Sequence, residues 1–275
     1  MEEDTRRVVT LLTDFGLSDP FVGIMKGVIL GINPTVTFVD LCHTGQAYDP
    51  VAGAVLLITS YHYFPKGTIH IAVIDPGVGG PRRPILVACD GHLFIGPDNG
   101  LLAPLAERAG STIRAITAAR YFLQPVSATF HGRDVFAPVA GHLSRGVEPA
   151  ECGELIDDYV RLPIPRAVLS GTSLIRGRSS ISIGSATWSL NITRHDLERL
   201  ATGEASTAWV VHAAGLEIPA VACYGRVAPG APGAIIGSAE YLEIFVNQGD
   251  ASRLLSIGRG SEVIVRRKDA KTLRL

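Results

Sequence analysis

Residues 69–75 read IHIAVID, an apolar run rich in β-branched residues that ends in an aspartate. A short apolar run of this kind is typical of a strand that is buried on both faces. Three further runs are predicted to be strands for the same reason: VVTLLTD (8–14), TVTFVDL (35–41) and ILVACD (85–90). The stretch 69–75 therefore predicts one buried strand of a sheet to which the other runs contribute.

Helical patterns lie between or after these runs. FVGIMKGVILGI (21–32) follows the first run. DPVAGAVLLITSYHYF (49–64) opens with an aspartate suited to an N-cap and a proline at the first helical position. DNGLLAPLAERAG (98–110) ends on a glycine suited to a helix C-cap. Strands that alternate with helices predict an α/β domain with a largely parallel sheet.

The pattern changes near residue 160. RLPIPR (161–166) resembles a linker, and TRHDLERLATG (193–203) is the main helical pattern beyond it. We expect an α/β domain over residues 1–160 and a smaller all-β domain, antiparallel and barrel-like, over residues 167–275. The predicted strands of the second domain are SLIRGRSSISIG (173–184), TAWVVHAAG (207–215), VACYGRV (221–227), YLEIFVN (241–247) and SEVIVRR (261–267).

Composition excludes several classes of protein. The chain has 275 residues, 47% of them hydrophobic, and a net charge of −1, which argues against nonspecific binding to nucleic acid or to an anionic membrane. The N-terminus, MEEDTRR, lacks a signal-peptide pattern, and no apolar run reaches the roughly 18 residues of a membrane span. Four cysteines lie far apart, which predicts neither a disulfide scaffold nor a structural zinc site. We expect a cytoplasmic protein.

Three aspartates at or near the ends of predicted strands are candidates for a site. These are Asp14, Asp40 and Asp75, and open α/β sheets bind ligands outside the carboxyl ends of their strands. An aspartate in this place equally often caps a helix or starts a turn. Asp40 and His43 form a D-x-x-H pair, but no further ligand follows at a fixed spacing, so a structural role is favoured over a metal site.

The loop DPGVGGPRRP (75–84) is more specific. Its proline and glycines shape a tight turn, and Arg82 and Arg83 follow a few residues later. Such a loop can bring a carboxylate, backbone N–H groups and a guanidinium around one small ligand. The loop lacks the GK[ST] ending of a phosphate-binding P-loop. The sequence also lacks the G-x-S-x-G motif of hydrolases and a dinucleotide-binding G-x-G-x-x-G motif after a strand.

The stretch FHGRD (130–134) suits neither a core strand nor a solvated helix face. His131 is either a chemical group of a site or a polar residue that opens a helix. A lone histidine at a helix start is usually structural, so the choice depends on the other motifs.

Five motifs taken together resemble the S-adenosyl-L-methionine (SAM) hydroxide adenosyltransferases, which are related to fluorinating and chlorinating adenosyltransferases. The resemblance implies an N-terminal α/β domain, a C-terminal β barrel, and homotrimers whose active sites lie between neighbouring subunits. The five motifs are LLTDFGLSDPFVG (11–23), FVDLCHTGQAYDP (38–50), IAVIDPGVGGPRRP (71–84), GPDNGLL (96–102) and TFHGRDVFAP (129–138).

The resemblance implies hydrolysis of SAM to adenosine and methionine, without a metal or a cofactor. Asp75, Arg82 and His131 match the residues that position and activate the water, which attacks C5′ of the ribose in an SN2 displacement. The carboxylate and the imidazole can take the proton of the water while Arg82 holds the carboxylate. Halogenating relatives carry a tyrosine in place of Asp75 and a polar residue in place of Gly132, so hydroxide is the expected nucleophile.

Substrate-binding roles in the α/β domain also follow from the resemblance. Asp14 is expected to hold the ribose hydroxyls, and Asp19 to lie near the ribose or the methionine. Tyr48 is expected to pack on the ribose, while Thr129 and Phe130 line the site.

The resemblance extends less completely to the β domain. Tyr224 of a neighbouring subunit is expected to stack on adenine, Ser238 to face the methionine carboxylate, and the backbone near Gln248 to meet the adenine edge. The family motif I-D-x-F-G-N-x-x-T-N-I is altered here, since its aspartate and first asparagine are replaced within Ile183 to Thr187. The change implies weaker SAM binding, a different adenosyl substrate or loss of activity.

Two alternatives to SAM hydrolysis therefore stay open. The first is a metal-dependent nucleoside or phosphoester hydrolase with Asp14, Asp40 and Asp75 as ligands, although the chain has no dense D-x-D cluster. The second is a catalytically weak or inactive homologue that binds an adenosyl compound or nucleoside, which the altered motif in the β domain favours.

Overall fold

The structure is a computed structural model that divides into two compact units, Met1–Pro163 and Ile164–Leu275. Within its described part, no helix is long and apolar enough to cross a membrane. The described residues are 7–45, 47–162, 166–171, 174–183, 187–200 and 209–267.

A six-stranded sheet forms the centre of the first unit, in the order β2-β1-β3-β5-β4-β6. The stretch IHIAVID supplies β3, which lies inside the sheet between β1 and β5 and pairs with both in parallel. The prediction of a buried strand here is confirmed, since every residue of β3 is buried. The strands are β1 (Val8–Thr13), β2 (Thr37–Cys42), β3 (Ile69–Val73), β4 (Pro84–Cys89), β5 (His92–Pro97) and β6 (Thr112–Ala115).

The sheet is mixed, so the prediction of a largely parallel sheet is only partly right. Strand β4 pairs antiparallel with β5 and with β6. Asp90 and Gly91 connect β4 to β5 with φ angles of 51° and 78°. Two residues with positive φ make a tight hairpin turn, and a two-residue connection can join only antiparallel strands. The Asp-Gly pair in the sequence is the signal for this hairpin.

Within the described residues, the α-helices that accompany the sheet are α1 (Phe21–Ile32), α2 (Pro50–Ser60), α3 (Ala103–Ala106) and α4 (Ala137–Ser144). The helices predicted over residues 21–32 and from Asp49 onward are confirmed. The carboxylate of Asp49 accepts the amides of Val51 and Ala52 at 3.1 Å each and so caps α2.

Helix α3 is much shorter than the helix predicted over 98–110. The carboxamide oxygen of Asn99 accepts the Leu101 amide at 3.2 Å, and Gly100 has a φ of 92°. Asparagine and glycine thus form a turn where the pattern predicted helix, because their local hydrogen bond and positive φ compete with helical backbone.

The first unit has three layers because side chains alternate along each strand. Val9, Leu11 and Ile71 belong to one core cluster together with residues of α1 and α4. Leu12 and Ala72 belong to a second cluster with residues of α2 and α3. Both faces of β1 and β3 are therefore covered, and the carboxyl ends of these strands remain available for a site.

An antiparallel sheet forms the second unit, in the order β11-β10-β14-β8-β9-β13-β12, with β7 paired to β8. A bridge between Ala220 and Ala234 joins the two edges, so the sheet is a nearly closed barrel, as predicted. Its strands are β7 (Val168–Ser170), β8 (Leu174–Ile183), β9 (Thr187–Thr193), β10 (Trp209–Ala213), β11 (Leu216–Pro219), β12 (Pro232–Ile236), β13 (Tyr241–Val246) and β14 (Glu262–Arg267), and its helices are α5 (Arg194–Leu200) and α6 (Ala251–Leu254).

The prediction of a strand at VACYGRV (221–227) is wrong. Residues Tyr224–Arg226 form a single 3₁₀ turn, closed by a hydrogen bond from the Arg226 amide to the Cys223 carbonyl at 3.1 Å. The turn places the Tyr224 ring edge-on to Phe245, with ring centroids 4.7 Å apart. Packing on β13 therefore outweighs the strand propensity of this short run.

A chain of buried polar groups crosses the sheet of the first unit. The Thr10 hydroxyl lies 2.8 Å from Nδ1 of His70, and Nε2 of His70 lies 3.2 Å from Nδ1 of His92. Burial, and then the neighbouring His92, lower the pKa of His70 to about 3. Burial, and then Lys66, lower the pKa of His92. The folded protein thus keeps this pair neutral.

We expect acid to destabilise the protein through this pair. The unfolded chain takes up a proton at His70 near the ordinary pKa of 6.5, whereas the folded chain resists it down to about 3. Stability is therefore present above pH 6.5 and is lost as the pH falls below that value, with a slope of at most about 1.4 kcal/mol per pH unit for one histidine. Urea unfolding of the wild type and of His70→Asn at neutral and mildly acidic pH measures this loss.

The His70→Asn variant is expected to lose less stability than the wild type when the pH is lowered from neutral to mildly acidic. His195→Asn is the matched control, because this histidine is 80% exposed, and its pH dependence should equal that of the wild type. An equal pH dependence of His70→Asn and the wild type would contradict the explanation.

Candidate active site

Two aspartates emerge at the same edge of the first sheet. Strands β1 and β3 are parallel neighbours, Asp14 follows the last residue of β1, and Asp75 lies two residues beyond the end of β3. The carboxyl ends of parallel strands form the usual ligand-binding edge of an α/β sheet. The sequence-predicted pair therefore lies at the edge where a ligand is expected.

The three predicted catalytic residues lie in contact, with Arg82 in the middle. Nε of Arg82 donates to Oδ1 of Asp75 at 3.0 Å, and Nη2 donates to Oδ2. The same Nη2 lies 2.8 Å from Nδ1 of His131. The Arg82 and Asp75 side chains are only 9% and 4% exposed, so this is a buried ion pair with a histidine attached.

Close backbone contact brings the Asp75 loop against the segment that precedes His131. Gly79 has a φ of 76°, and a Cβ atom built on it would lie 2.2 Å from the carbonyl oxygen of Ala128. Glycine is required there both by conformation and by space. The Arg82 guanidinium also lies over the ring of Phe136, 5.6 Å from its centroid. These contacts hold the guanidinium in one place.

His131 stands at the start of a helix and also contacts the buried ion pair. It directly precedes the π-helical turn Gly132–Phe136, which continues into α4. Burial, and then the Arg82 guanidinium, lower the pKa of His131. The ring is therefore favoured in its neutral form. π-Helical turns are rare and occur frequently at functional sites.

Gly132 has little free space around its Cα atom. An added Cβ atom would lie 3.1 Å from Sδ of Met25 and 3.1 Å from the Phe130 ring. A larger residue here requires these neighbours to shift, so Gly132 sets the packing of the residues beside His131.

Asp134, at the end of the FHGRD stretch, is a structural carboxylate that was not among the predicted site residues. It is fully buried, and it accepts the Ser127 amide at 2.8 Å and Nε of Arg133 at 2.6 Å. Burial by itself would raise the pKa of Asp134, but the hydrogen bonds from Arg133 and Ser127 lower it. Asp134 thus fastens the segment before His131 to the helix after it.

Three aromatic rings link the Asp14 loop to the His131 segment. Phe15, Phe21 and Phe130 pack edge to face in all three pairs, with centroids 5.2–6.0 Å apart. Each such pair contributes about 0.5–1.5 kcal/mol beyond simple burial. Two of the predicted motifs are therefore held together by direct packing.

Asp14 and Tyr48 are also brought together. Oδ2 of Asp14 accepts the Tyr48 amide at 2.9 Å, and Tyr48 has a φ of 59°. A non-glycine residue in this region is strained, and such strain clusters at binding sites. Tyr48 is 76% exposed and is available to a ligand.

The remaining predicted residues of the first unit are less constrained. Asp19 is exposed in the turn before α1. Thr129 is exposed as well, with its hydroxyl 3.2 Å from that of Ser127. Phe130 is half-buried. It packs in the aromatic cluster and directly precedes His131.

Asp40 has its own partners outside this group. It lies within β2, 2.6 Å from Nζ of Lys26 and 3.0 Å from Nε2 of His43. Burial by itself would raise the pKa of Asp40, but Lys26 and His43 lower it. Over the described part of the chain, no group of three or more His, Cys, Asp or Glu side chains could hold a metal ion.

Arg83 is directed away from Asp75, unlike its neighbour Arg82. Its guanidinium donates to the Asp98 carboxylate at 2.8 Å and to Asp158 at 2.9 Å. Asp98 is buried, so Arg83 stabilises the fold of the first unit. Only one of the two adjacent arginines belongs to the candidate site.

In the second unit, Tyr224 contacts a buried carboxylate. Its hydroxyl donates to Oε2 of Glu243 at 2.9 Å. Burial, and then Glu243, raise the pKa of Tyr224 to about 12, while burial raises the pKa of Glu243. Gly237 makes room for this carboxylate, because an added Cβ atom would lie 1.9 Å from Oε1 of Glu243.

Glu243 was not among the site residues predicted from the sequence. Leu242, Ile244 and Val246 belong to the core of the second unit, whereas Glu243 and Phe245 alternate with them and lie on the other face of β13. A charged residue inside an apolar strand was the available signal, since buried carboxylates are rare unless they have a function or a partner.

The other predicted residues of the second unit lie on turns. Ser238 is exposed in the turn between β12 and β13. Gln248 is exposed directly after Asn247, with a φ of 54°. Within the altered motif, Thr187 is buried and pairs with Phe245, while residues 184–186 and the side chain of Ile183 lie outside the described part.

Comparison with known families matches both units. The SAM hydroxide adenosyltransferase N-terminal domain matches residues 9–153, and the C-terminal domain of the same family matches residues 188–264.

Individual relatives are similar over different shares of the chain. The (R)-S-adenosyl-L-methionine hydrolase of Thermus thermophilus is 34% identical over 266 residues, 94% of this chain and 98% of that protein. The enzyme of the same name from Salinispora tropica is 41% identical over 161 residues, and that match spans only 57% of this chain and 61% of the relative. An uncharacterised conserved protein from Thermotoga maritima has a similar structure, with a TM-score of 0.86, 32% identity, and coverage of 94% of this chain and 100% of that one.

Proposed function

Since this chain belongs to the SAM hydroxide adenosyltransferase family, we propose that it hydrolyses SAM to adenosine and L-methionine. The observation that carries the proposal is the contact of Asp75, Arg82 and His131 at the carboxyl edge of the sheet. This arrangement offers a carboxylate and an imidazole, held by one guanidinium, to a small nucleophile.

The reaction is a direct SN2 displacement at C5′ of the ribose. The water oxygen forms a bond to C5′ while the C5′–S bond breaks. The electron pair of the broken bond stays on sulfur. Methionine leaves as a neutral thioether, so the leaving group needs no acid. Water is a weak nucleophile and gains from in-line placement, from a dry site and from a group that accepts its proton. The buried Asp75 carboxylate supplies such a group.

Substrate recognition uses both units. Asp14 and Tyr48 bind the ribose, with Asp19, Thr129 and Phe130 around it. In the second unit Tyr224 stacks on adenine, Ser238 faces the methionine carboxylate, and the backbone at Gln248 meets the adenine edge.

Glu243 is the carboxylate that faces the cationic end of SAM. Ile183 and Thr187 stand where the family motif has its aspartate and its first asparagine. Thr187 pairs with Phe245, which lies two residues along β13 from Glu243. A buried carboxylate with a raised pKa gains most from a positive ligand, and SAM carries both a sulfonium and an ammonium group.

A non-catalytic binder of adenosyl compounds is the second candidate. The altered stretch Ile183 to Thr187 supports it, because a lost charged partner weakens binding by about 1.5–3 kcal/mol. A metal-dependent hydrolase receives less support, since Asp40 pairs with Lys26 and His43.

The chain acts in the cytoplasm, without nucleic acid or cofactor. Its four cysteines are free, as suits a reducing compartment, and its net charge is −1. The proposed substrate contacts divide between the two units, and the family resemblance implies sites shared between subunits of a homotrimer.

Light scattering is expected to give three times the chain mass of 29.2 kDa. Tyr224→Ala should lower activity without changing that mass, because Tyr224 contributes to substrate binding. A fully active monomer would overturn the shared site.

Incubation with SAM is expected to yield equal amounts of adenosine and methionine, without added metal and in the presence of a chelator. Asp75 and Gly132 match the water-using branch of the family, so added chloride or fluoride should yield no 5′-halogenated adenosine. Mass spectrometry of the products measures both outcomes. SAM that is bound and recovered intact would favour the binder, and a halogenated main product would reverse the choice of nucleophile.

Substitutions should separate turnover from binding. Asp75→Asn keeps the size of the side chain but removes its charge, and His131→Ala removes the group beside it. Each is expected to lower kcat by about 10²-fold or more and to change KM much less. Steady-state kinetics of folded variants, checked by circular dichroism, measures the split.

The binding residues should show the opposite split. Asp14→Ala and Glu243→Gln are expected to raise KM more than they lower kcat, because each removes a charge that contacts SAM rather than the water. Asp158→Asn is the matched control, an arginine-paired carboxylate that is 72% exposed, and it should leave both constants unchanged. Near-native kcat in both Asp75→Asn and His131→Ala at saturating SAM would refute the assignment of these residues.

A further inference from the structure

Arg82 determines which nitrogen of His131 carries a proton. A guanidinium only donates hydrogen bonds, and Nη2 of Arg82 has two N–H groups. One points to Oδ2 of Asp75, and the other to Nδ1 of His131 at 2.8 Å. Nδ1 must therefore accept with its lone pair, and the proton of the neutral imidazole is on Nε2.

The charged form of His131 does not fit this arrangement. A proton on Nδ1 would place an N–H group against the N–H of Arg82, and the two cations would be in contact. Asp75 and Asp134 favour the charged form, but burial and Arg82 outweigh them and lower the pKa. His131 is thus held as the Nε2–H tautomer.

We propose that His131 donates its Nε2–H to the oxygen of the attacking water and does not take the proton of that water. The inference rests on the proposed function. The water oxygen forms its bond to C5′, the C5′–S electron pair stays with methionine, and the released proton passes to Asp75 and then to solvent. Each Asp75 oxygen accepts one hydrogen bond from Arg82 and keeps a second lone pair for that proton.

A second donor in the site supports this assignment. Nη1 of Arg82 is buried and has no hydrogen-bond partner among the described residues. Buried donors rarely go without a partner, so this nitrogen indicates that an acceptor comes from a ligand or from solvent. A hydrogen bond from the Nε2–H group to one lone pair of the water, with Asp75 accepting the proton, leaves the other lone pair directed at C5′, and the loss of such positioning lowers kcat by about 10²-fold.

The tautomer can be measured without substrate. The chain has eight histidines, and the ¹⁵N shifts of selectively labelled protein distinguish a protonated ring nitrogen from a bare one. The His131→Gln variant identifies the His131 signals. We expect Nδ1 bare and Nε2 protonated at neutral pH, and a changed tautomer ratio in Arg82→Lys, because lysine lacks the fork that reaches both partners.

Kinetics of three substitutions tests the role of the Nε2–H group. The amide of His131→Gln reaches the place of Nε2 and restores a donor, whereas the amide of His131→Asn reaches only the place of Nδ1. We expect His131→Gln to exceed His131→Asn and His131→Ala in kcat by about 10-fold or more, because it still orients the water, with similar KM for all three. A histidine that acts as the base predicts equal losses in all three, since an amide cannot take a proton at neutral pH.

The outcomes separate this inference from the proposed function. A protonated Nδ1 in the free protein, or a His131→Gln variant no faster than His131→Asn, overturns the donor role even though SAM is hydrolysed. A protein that has the Nε2–H tautomer but releases no adenosine from SAM leaves the tautomer established and overturns both the proposed function and the donor role that depends on it.

Discussion

The buried ion pair between Asp75 and Arg82 is the interaction on which the first unit's site depends. Both side chains are almost fully removed from solvent, and a buried pair is tolerated only when its hydrogen bonds are satisfied. Gly79 permits the close contact that brings the neighbouring segment in, and Phe136 lies under the guanidinium. His131 then accepts the remaining N–H of Nη2, so the same interaction that stabilises the loop also orients the histidine.

The second unit contains a buried polar group of a different kind. Glu243 has a hydrogen bond from Tyr224 but, among the residues that the structure describes, no ion pair with a cation, and burial raises its pKa. A carboxylate in this state gains from a positive ligand, whereas Asp75 already has its cation. The two units thus differ in their buried carboxylates, one paired with an arginine and the other hydrogen-bonded to a tyrosine.

Local patterns predicted much of the architecture. The apolar runs of β1 to β4, the helix α1, and the Asp49 cap of α2 agree with the structure, because each depends on neighbours only a few residues away. The errors have equally local causes. The Asp90-Gly91 turn reverses one strand of the sheet, and Asn99 with Gly100 shortens α3. The Asp-Gly and Asn-Gly pairs were visible in the sequence, but the apparent alternation of strands and helices predicted a parallel strand and a longer helix instead.

By itself, the sequence determined the strands β1 to β4 and the helices α1 and α2 of the first unit, the family resemblance, and the choice of Asp75, Arg82 and His131 as candidates. Only the tertiary structure decided that Arg82 rather than Arg83 contacts Asp75, and that His131 presents Nδ1 to Arg82. His131 lies 49 residues from Arg82 along the chain, and no local pattern encodes a contact over that distance. A tautomer or a buried pair depends on which groups meet in space, and folding alone brings them together.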